Sequence, residues 1–183
     1  MDEKNQKNMP VEAPRPVEPV SAPEPYPPIR VEKPNRRYAQ MLSVDMASAK
    51  SEMTSITQYV YHSWVLHGTY GEAAHTLDRI AMVEMRHLDI LGQLIVLLGG
   101  DPVYQSTRQN RRIVWNGAMV TYRKRFTQAI QDDIALEQAA IDLYTRQAAA
   151  ILDPYVSTII RRIIQDELIH LKIFRSLLEE YSG

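Results

Sequence analysis

The sequence predicts an all-α protein, an antiparallel four-helix bundle with one long crossover between its second and third helices. Three observations predict it. Four segments of roughly 30 residues carry apolar residues at three- and four-residue spacing, the period of a helix with one buried face. The links inside each successive pair are short, whereas about 15 to 18 residues without periodicity separate the pairs, enough to run along the length of a bundle. The chain also repeats itself, with a lone acid followed some 30 residues later by an acid-x-x-His pair, once in each half. No strand signal is found.

Residues 1–35 hold nine of the eleven prolines and few branched or aromatic residues. Such a stretch cannot bury enough surface to offset its ordering entropy and reads as a flexible arm. A sharper reading makes it a strap that packs on a neighbouring subunit through Tyr26-Pro27-Pro28-Ile29. The remaining residues 36–183 suffice for one domain with its own core. With 21 basic and 22 acidic residues, nothing draws the chain to nucleic acid or an anionic membrane, and neither is expected as a partner. The apolar runs are too interrupted by charge to span a bilayer. The arm lacks the pattern of a secretory signal, and a cytoplasmic location is expected. The absence of cysteine excludes disulfides, thiolate metal sites and cysteine nucleophiles.

The first helix is expected from near Asn35 to about Leu66, with Glu52 at mid-helix and Ser48, Ala49, Ser55, Ile56, Tyr59 and Ser63 around it. A short turn from His67 to Gly71 sends the second helix back over about Glu72 to Leu98. Its inward stripe is Leu77, Ile80, Glu84, His87, Leu91, Leu94 and Leu98, and Gly99-Gly100-Asp101-Pro102 stops it. The polar, basic crossover reaches about Asn116. The third helix then runs from about Gly117 to Ile151, with Tyr122, Phe126, Ile130, Asp133, Glu137, Ala140, Tyr144 and Ala148 inward. Asp153 caps the fourth helix and Pro154 opens it. Ile160, Ile163, Glu167, His170, Phe174 and Leu177 form its inner face.

The chemistry lies on these inner faces. Glu84 and His87 stand three apart, as do Glu167 and His170, so each pair can reach one ion from one side of its helix. Glu52 precedes Glu84 by 32 residues and Glu137 precedes Glu167 by 30. A buried carboxylate without a partner is so costly that four in one cross-section demand cations. Two divalent ions balance four ionised Glu, and two neutral imidazoles complete the coordination. Oxygen and nitrogen donors with open positions suit iron or manganese and suit calcium poorly. The expected arrangement has Glu52, Glu84 and His87 around one ion and Glu137, Glu167 and His170 around the other, with Glu84 and Glu167 bridging.

Tyr59 and Tyr144 each follow a lone acid by seven residues. They read as core tyrosines with satisfied hydroxyls or as redox or hydrogen-bonding partners beside the metals. Asp166 can accept a hydrogen bond from His87 or can be an exposed helix acid. Val83 denies His170 the equivalent partner from the other motif. His62, His67 and His75 read as surface residues near the first turn, and Met85 as a packing or surface residue, so haem is not expected.

Glu84-Met85-Arg86-His87-Leu88-Asp89 and Asp166-Glu167-Leu168-Ile169-His170 resemble the two metal-ligand motifs of bacterioferritins and rubrerythrins, over residues 36–181. The resemblance implies the ferritin-like diiron-carboxylate superfamily and its bundle. It also implies two iron ions per chain and oxidation of Fe(II) by dioxygen or hydrogen peroxide, with ferroxidase or peroxidase chemistry. Manganese catalases share the pattern, so disproportionation of peroxide at two manganese ions stands as an alternative. A structural or coat-type protein with structural metals is the other. A homo-oligomer, dimer or larger, is expected, but a 24-subunit cage is not, because the chain ends 13 residues after His170.

Overall fold

The computed structural model describes residues 18–108 and 111–181; residues 1–17 of the arm lie outside them. Five α-helices build the bundle: α1 (Arg36–Met46), α2 (Glu52–Leu66), α3 (Gly71–Leu97), α4 (Phe126–Ala150) and α5 (Pro154–Tyr181). Collinear in sequence, α1 and α2 supply the first arm of the bundle, and the other three supply one arm each. Helix α2 packs chiefly on α3 and α4 chiefly on α5, the two antiparallel pairs.

The expected first helix is broken at residues 47–51. Ala47 leaves helical geometry at φ −148° and ψ 63°. Local side chains hold the turn: Ser51 Oγ and Thr54 Oγ1 each donate to the Ser48 carbonyl at 2.7 Å, and Lys50 N donates to Ser48 Oγ. Serine and threonine offer the backbone partners that compete with a helix. Glu52 is therefore the first residue of α2 rather than a mid-helix acid, and Ala49 is exposed.

Helix α3 ends as expected, with Gly99 at φ 78° and Gly100 N donating to Ile95 O. A Cβ on Gly100 would lie 2.8 Å from that of Ala39, so only glycine lets α1 approach here. The crossover is not free of strands. Strand β1 (Gln105–Arg108) pairs antiparallel with β2 (Arg111–Val114), Ser106 facing Ile113, and β1 lies on α1. A 3-10 turn at Gly117–Met119 follows, and α4 begins nine residues later than expected. Tyr122 consequently lies outside the helix, exposed, with its hydroxyl on the Gly117 carbonyl. Asp153 caps α5 as predicted, accepting from the backbone N–H groups of Tyr155 and Val156.

The apolar interior falls into two clusters. One gathers α1, the C-terminal halves of α3 and α4 and the start of α5, with Leu42, Leu91, Leu94, Ile159 and Ile163 at its centre. The other gathers Leu77, Ile80, Phe126, Ile130 and Phe174 at the opposite end. Polar and ionisable side chains fill the layer between them.

Residues 18–34 form an extended strap that lies on the bundle of its own chain, a correction to the free arm. Val20 packs on one apolar cluster, and Tyr26, Ile29 and Val31 on the other. Arg30 stacks on Tyr155 at 3.7 Å, and Glu32 N donates to Asp153. Prolines lower the entropic cost of ordering it by fixing φ beforehand.

Candidate metal centre

The layer between the clusters is built by four helices. On α3, the stripe that buries Leu77, Ile80, Leu91 and Leu94 also carries Glu84 and His87; on α5 the stripe of Ile160, Ile163 and Phe174 carries Glu167 and His170. Glu52 enters from the first turn of α2 and Glu137 from the middle of α4. All six are no more than 4% exposed. Their donor atoms converge in two overlapping groups, Glu52, Glu84, His87 and Glu167 in one and Glu84, Glu137, Glu167 and His170 in the other, each within 4.8 Å. Glu84 and Glu167 belong to both.

The two imidazoles turn Nδ1 inward. His87 Nδ1 lies 2.9 Å from Glu84 Oε2 and 3.2 Å from Glu167 Oε1, and His170 Nδ1 lies 2.9 Å from Glu84 Oε1. Each Nε2 turns outward. His87 Nε2 donates to Asp166 Oδ2 at 3.1 Å, so Asp166 is fully buried and not an exposed helix acid. His170 Nε2 lies 2.9 Å from the Val20 carbonyl oxygen; a carbonyl can only accept, so Nε2 carries a proton and Nδ1 is the nitrogen left facing Glu84. The tyrosines crosslink the halves: Tyr59 donates to Glu137 Oε1 at 2.6 Å, and Tyr144 donates to Glu52 Oε1.

Burial pushes Glu52 well above the usual carboxylate range, and the charges of Glu84 and Glu167 push it further. Glu137 is raised well above it in the same way. Burial opposes ionisation of Glu84 too, but His170 and His87 outweigh it and hold this carboxyl well below the usual range. Glu167 is also lowered, where hydrogen bonds from Glu137, His170 and His87 overcome burial and the Glu84 charge. Burial favours neutral histidines, yet the surrounding carboxylates raise both well above 6.5. The shifts thus run in opposite directions, Glu52 and Glu137 toward the neutral acid, Glu84 and Glu167 toward the carboxylate, and both imidazoles toward the charged form.

The donor set fits a metal pair. Glu84 Oε1, Glu137 Oε2, Glu167 Oε1 and His170 Nδ1 are buried and lack a well-aligned hydrogen-bond partner, although they crowd together. Oxygen and nitrogen donors crowded in this way without well-aligned partners are what cations placed among them would satisfy.

Sequence reasoning missed two contributors and one buried histidine outside the cluster. Val20 acts through its backbone, which leaves no signature in residue type. Arg162, 6% exposed, pairs with Asp166 Oδ1 at 2.7 Å; the four-residue spacing on one helix was the available signal. His62, expected at the surface, is fully buried, with Nδ1 2.9 Å from Asp133 Oδ1, which also accepts from Gln58. His67 and His75 are exposed as expected, and Met85 lies half-exposed on the outer face of α3.

Fold and centre together define a class, the four-helix bundle with a buried carboxylate–histidine cluster at mid-length. The chain matches the ferritin-like domain over residues 47–183 and belongs to that family. Bacterioferritin of Desulfovibrio desulfuricans is 27% identical over 142 residues, 77% of this chain and 75% of the relative. A crystal structure of Desulfovibrio desulfuricans bacterioferritin, described with a diiron site, is 25% identical at a TM-score of 0.64, covering 80% of each chain. KatB, a manganese catalase from Anabaena PCC7120, shares the fold at a TM-score of 0.78 and 20% identity, over 88% of this chain and 80% of KatB. The affiliation is thus with the ferritin-like diiron superfamily, within which bacterioferritins and manganese catalases share this bundle.

Proposed function

We propose that the chain is a dinuclear-metal oxidoreductase of ferroxidase or peroxidase type, which holds two iron ions and reduces hydrogen peroxide or dioxygen with Fe(II) as electron source. The observation that carries this reading is the overlap of two four-residue donor groups at Glu84 and Glu167. One ion would take Glu52, Glu84, His87 and Glu167, the other Glu84, Glu137, Glu167 and His170. When bound, a pair of redox ions supplies the two electrons that reduce one O–O bond.

The chain's own residues do the rest. Tyr144 and Tyr59 each hold one oxygen of Glu52 and Glu137, and Asp166 and the Val20 carbonyl hold the imidazoles with Nδ1 inward. The two apolar clusters exclude bulk water from both ends. A crevice at the α1–α2 break, lined by Asp45, Lys50, Ser51 and Ser55, reaches Glu52 and Glu167 with about 10 Å³ of free space. A passage this narrow favours a small species such as Fe(II), dioxygen or peroxide over a bulky organic substrate. A homo-oligomer belongs to the reading, with the exposed Trp64 and Met82 as candidate contacts.

The test loads chelator-treated protein separately with Fe(II) and Mn(II). Metal content, iron oxidation, peroxide loss and oxygen evolution are then followed in the wild type, Glu84→Ala and His170→Ala. Two ions per chain with fast Fe(II) oxidation and little oxygen evolution support the proposal. Sustained oxygen release by the manganese form reassigns the protein to peroxide disproportionation. An inert wild type whose variants only melt lower makes the metals structural, and one ion or none overturns the dinuclear reading.

A further inference from the structure

We propose that the strap of residues 18–34 is a working part of this centre: by anchoring on Arg162 and Asp166 it sets the outward hydrogen bonds of both histidines, so that strap docking and metal retention reinforce each other. The inference rests on the dinuclear reading above; the strap contacts do not.

The strap touches the centre at two points. Directly, the Val20 carbonyl accepts from His170 Nε2 at 2.9 Å. That contact holds the ring with Nδ1 toward Glu84 Oε1 at 2.9 Å, the side on which a metal would meet it. Indirectly, the strap fixes Asp166, the partner of His87. Ser21 Oγ and Ala22 N donate to Asp166 Oδ1 at 3.0 and 2.7 Å, and the Tyr26 hydroxyl donates to Oδ2, the oxygen that also accepts from His87.

Arg162 locks the strap in place. Its Nε donates to the Glu24 carbonyl at 2.7 Å and its Nη2 to the Ala22 carbonyl at 2.8 Å, and the guanidinium lies 4.4 Å from the Tyr26 ring centre. Undocking the strap would strip this buried cation of its carbonyls and Asp166 of three donors, an outcome that favours the docked state strongly. An arm rich in proline thereby becomes the element that orients both histidines. Tyr26 and Arg162 are positioning residues, since they act through Asp166 and the strap backbone.

Trypsin reads docking in the full chain, because Arg30 is exposed at its side chain but stacked on Tyr155, and Lys33 precedes a proline. The experiment measures cleavage after Arg30, with circular dichroism confirming an intact bundle, with and without saturating Mn(II). It also measures Co(II) and Mn(II) affinity and the Co(II) absorption spectrum. Wild type, Tyr26→Phe and Arg162→Gln are compared. Tyr26→Phe keeps the ring over Arg162 and should weaken metal binding by about tenfold, and Arg162→Gln by up to about 100-fold. Mn(II) should slow cleavage of the wild type, and by reciprocity the protection should shrink in each variant by the factor its affinity falls. A wild type that binds two ions but is cut at the same rate with and without Mn(II), while Tyr26→Phe binds metal as tightly, overturns the strap inference and leaves the dinuclear reading standing. A wild type that binds no ions overturns both. Should Arg162→Gln fail to fold, Tyr26→Phe decides alone.

Discussion

Loading the chelator-treated protein with two divalent ions should expel about four protons. Four ionised carboxylates and two neutral imidazoles balance a charge of +4, whereas without cations burial and like charge push Glu52 and Glu137 toward the protonated form and the carboxylates push both imidazoles toward the charged form. Two protons therefore leave the glutamates and two leave the histidines. The sign follows from competition: protons occupy the donors the metal needs, so affinity rises with pH. All four groups have raised pKa values, so metal affinity falls as pH drops through them and the dependence is steepest where all four are protonated. Each coupled proton is worth about 1.4 kcal/mol per pH unit, so the pair of ions should gain about 5.5 kcal/mol per unit while all four remain bound. A pH-stat titration with Mn(II) at pH 6.5 counts the protons directly, and calorimetry in two buffers of different ionisation enthalpy checks the count. Two ions bound with one proton or none released would show that the carboxylates and imidazoles do not share charge as described.

Tyr144→Phe should lower stability by about 1–3 kcal/mol in urea unfolding, because Glu52 Oε1 loses its donor in a dry layer. Leu94→Ala, at a fully buried site remote from the ligands, should cost about 2–5 kcal/mol while metal content stays at two ions per chain. Asp45 is raised well above 3.8 by burial, so its protonated form favours folding; this stability is full below pH 3.8 and lost as pH rises through the folded value. Asp45→Asn stays neutral and should exceed the wild type in stability at pH 8, with the gap closing on acidification. Metal at 100-fold over its dissociation constant should stabilise the bundle by about 2.7 kcal/mol per site, seen as a melting shift that chelator reverses.

The parts legible in the sequence were those fixed by periodicity and repetition. Glu84 and His87 fall on the same stripe as Leu77 and Leu94, and the second half repeats the pattern at Glu167 and His170, so burial and convergence followed together. The break at residues 47–51 was hidden because Ser48, Ala49 and Ser51 fit a small-residue helix stripe as readily as a turn; only the bonds to the Ser48 carbonyl decide for the turn. The hairpin rests on two four-residue strands, too short for alternation to declare itself. His62 and Asp133 lie 71 residues apart, and each alone looked ordinary. Tyr26 and Ile29 were legible as apolar anchors of a strap, but its seat on its own bundle was not, because that placement depends on carbonyl groups meeting Arg162 and His170, a property that no side-chain pattern encodes.

The division of the apolar interior into two clusters bears on how the bundle comes apart. Each cluster spans parts of several helices, and across the layer between them the link is electrostatic and hydrogen-bonded rather than hydrophobic. Cooperativity along the helix axis therefore passes through Glu84, Glu167 and their neighbours. With the layer neutralised the two ends should open as one unit in hydrogen exchange; with Glu84→Ala or Glu167→Ala they should separate into two, the end holding Phe126 and Phe174 exchanging independently of the end holding Leu94 and Ile159.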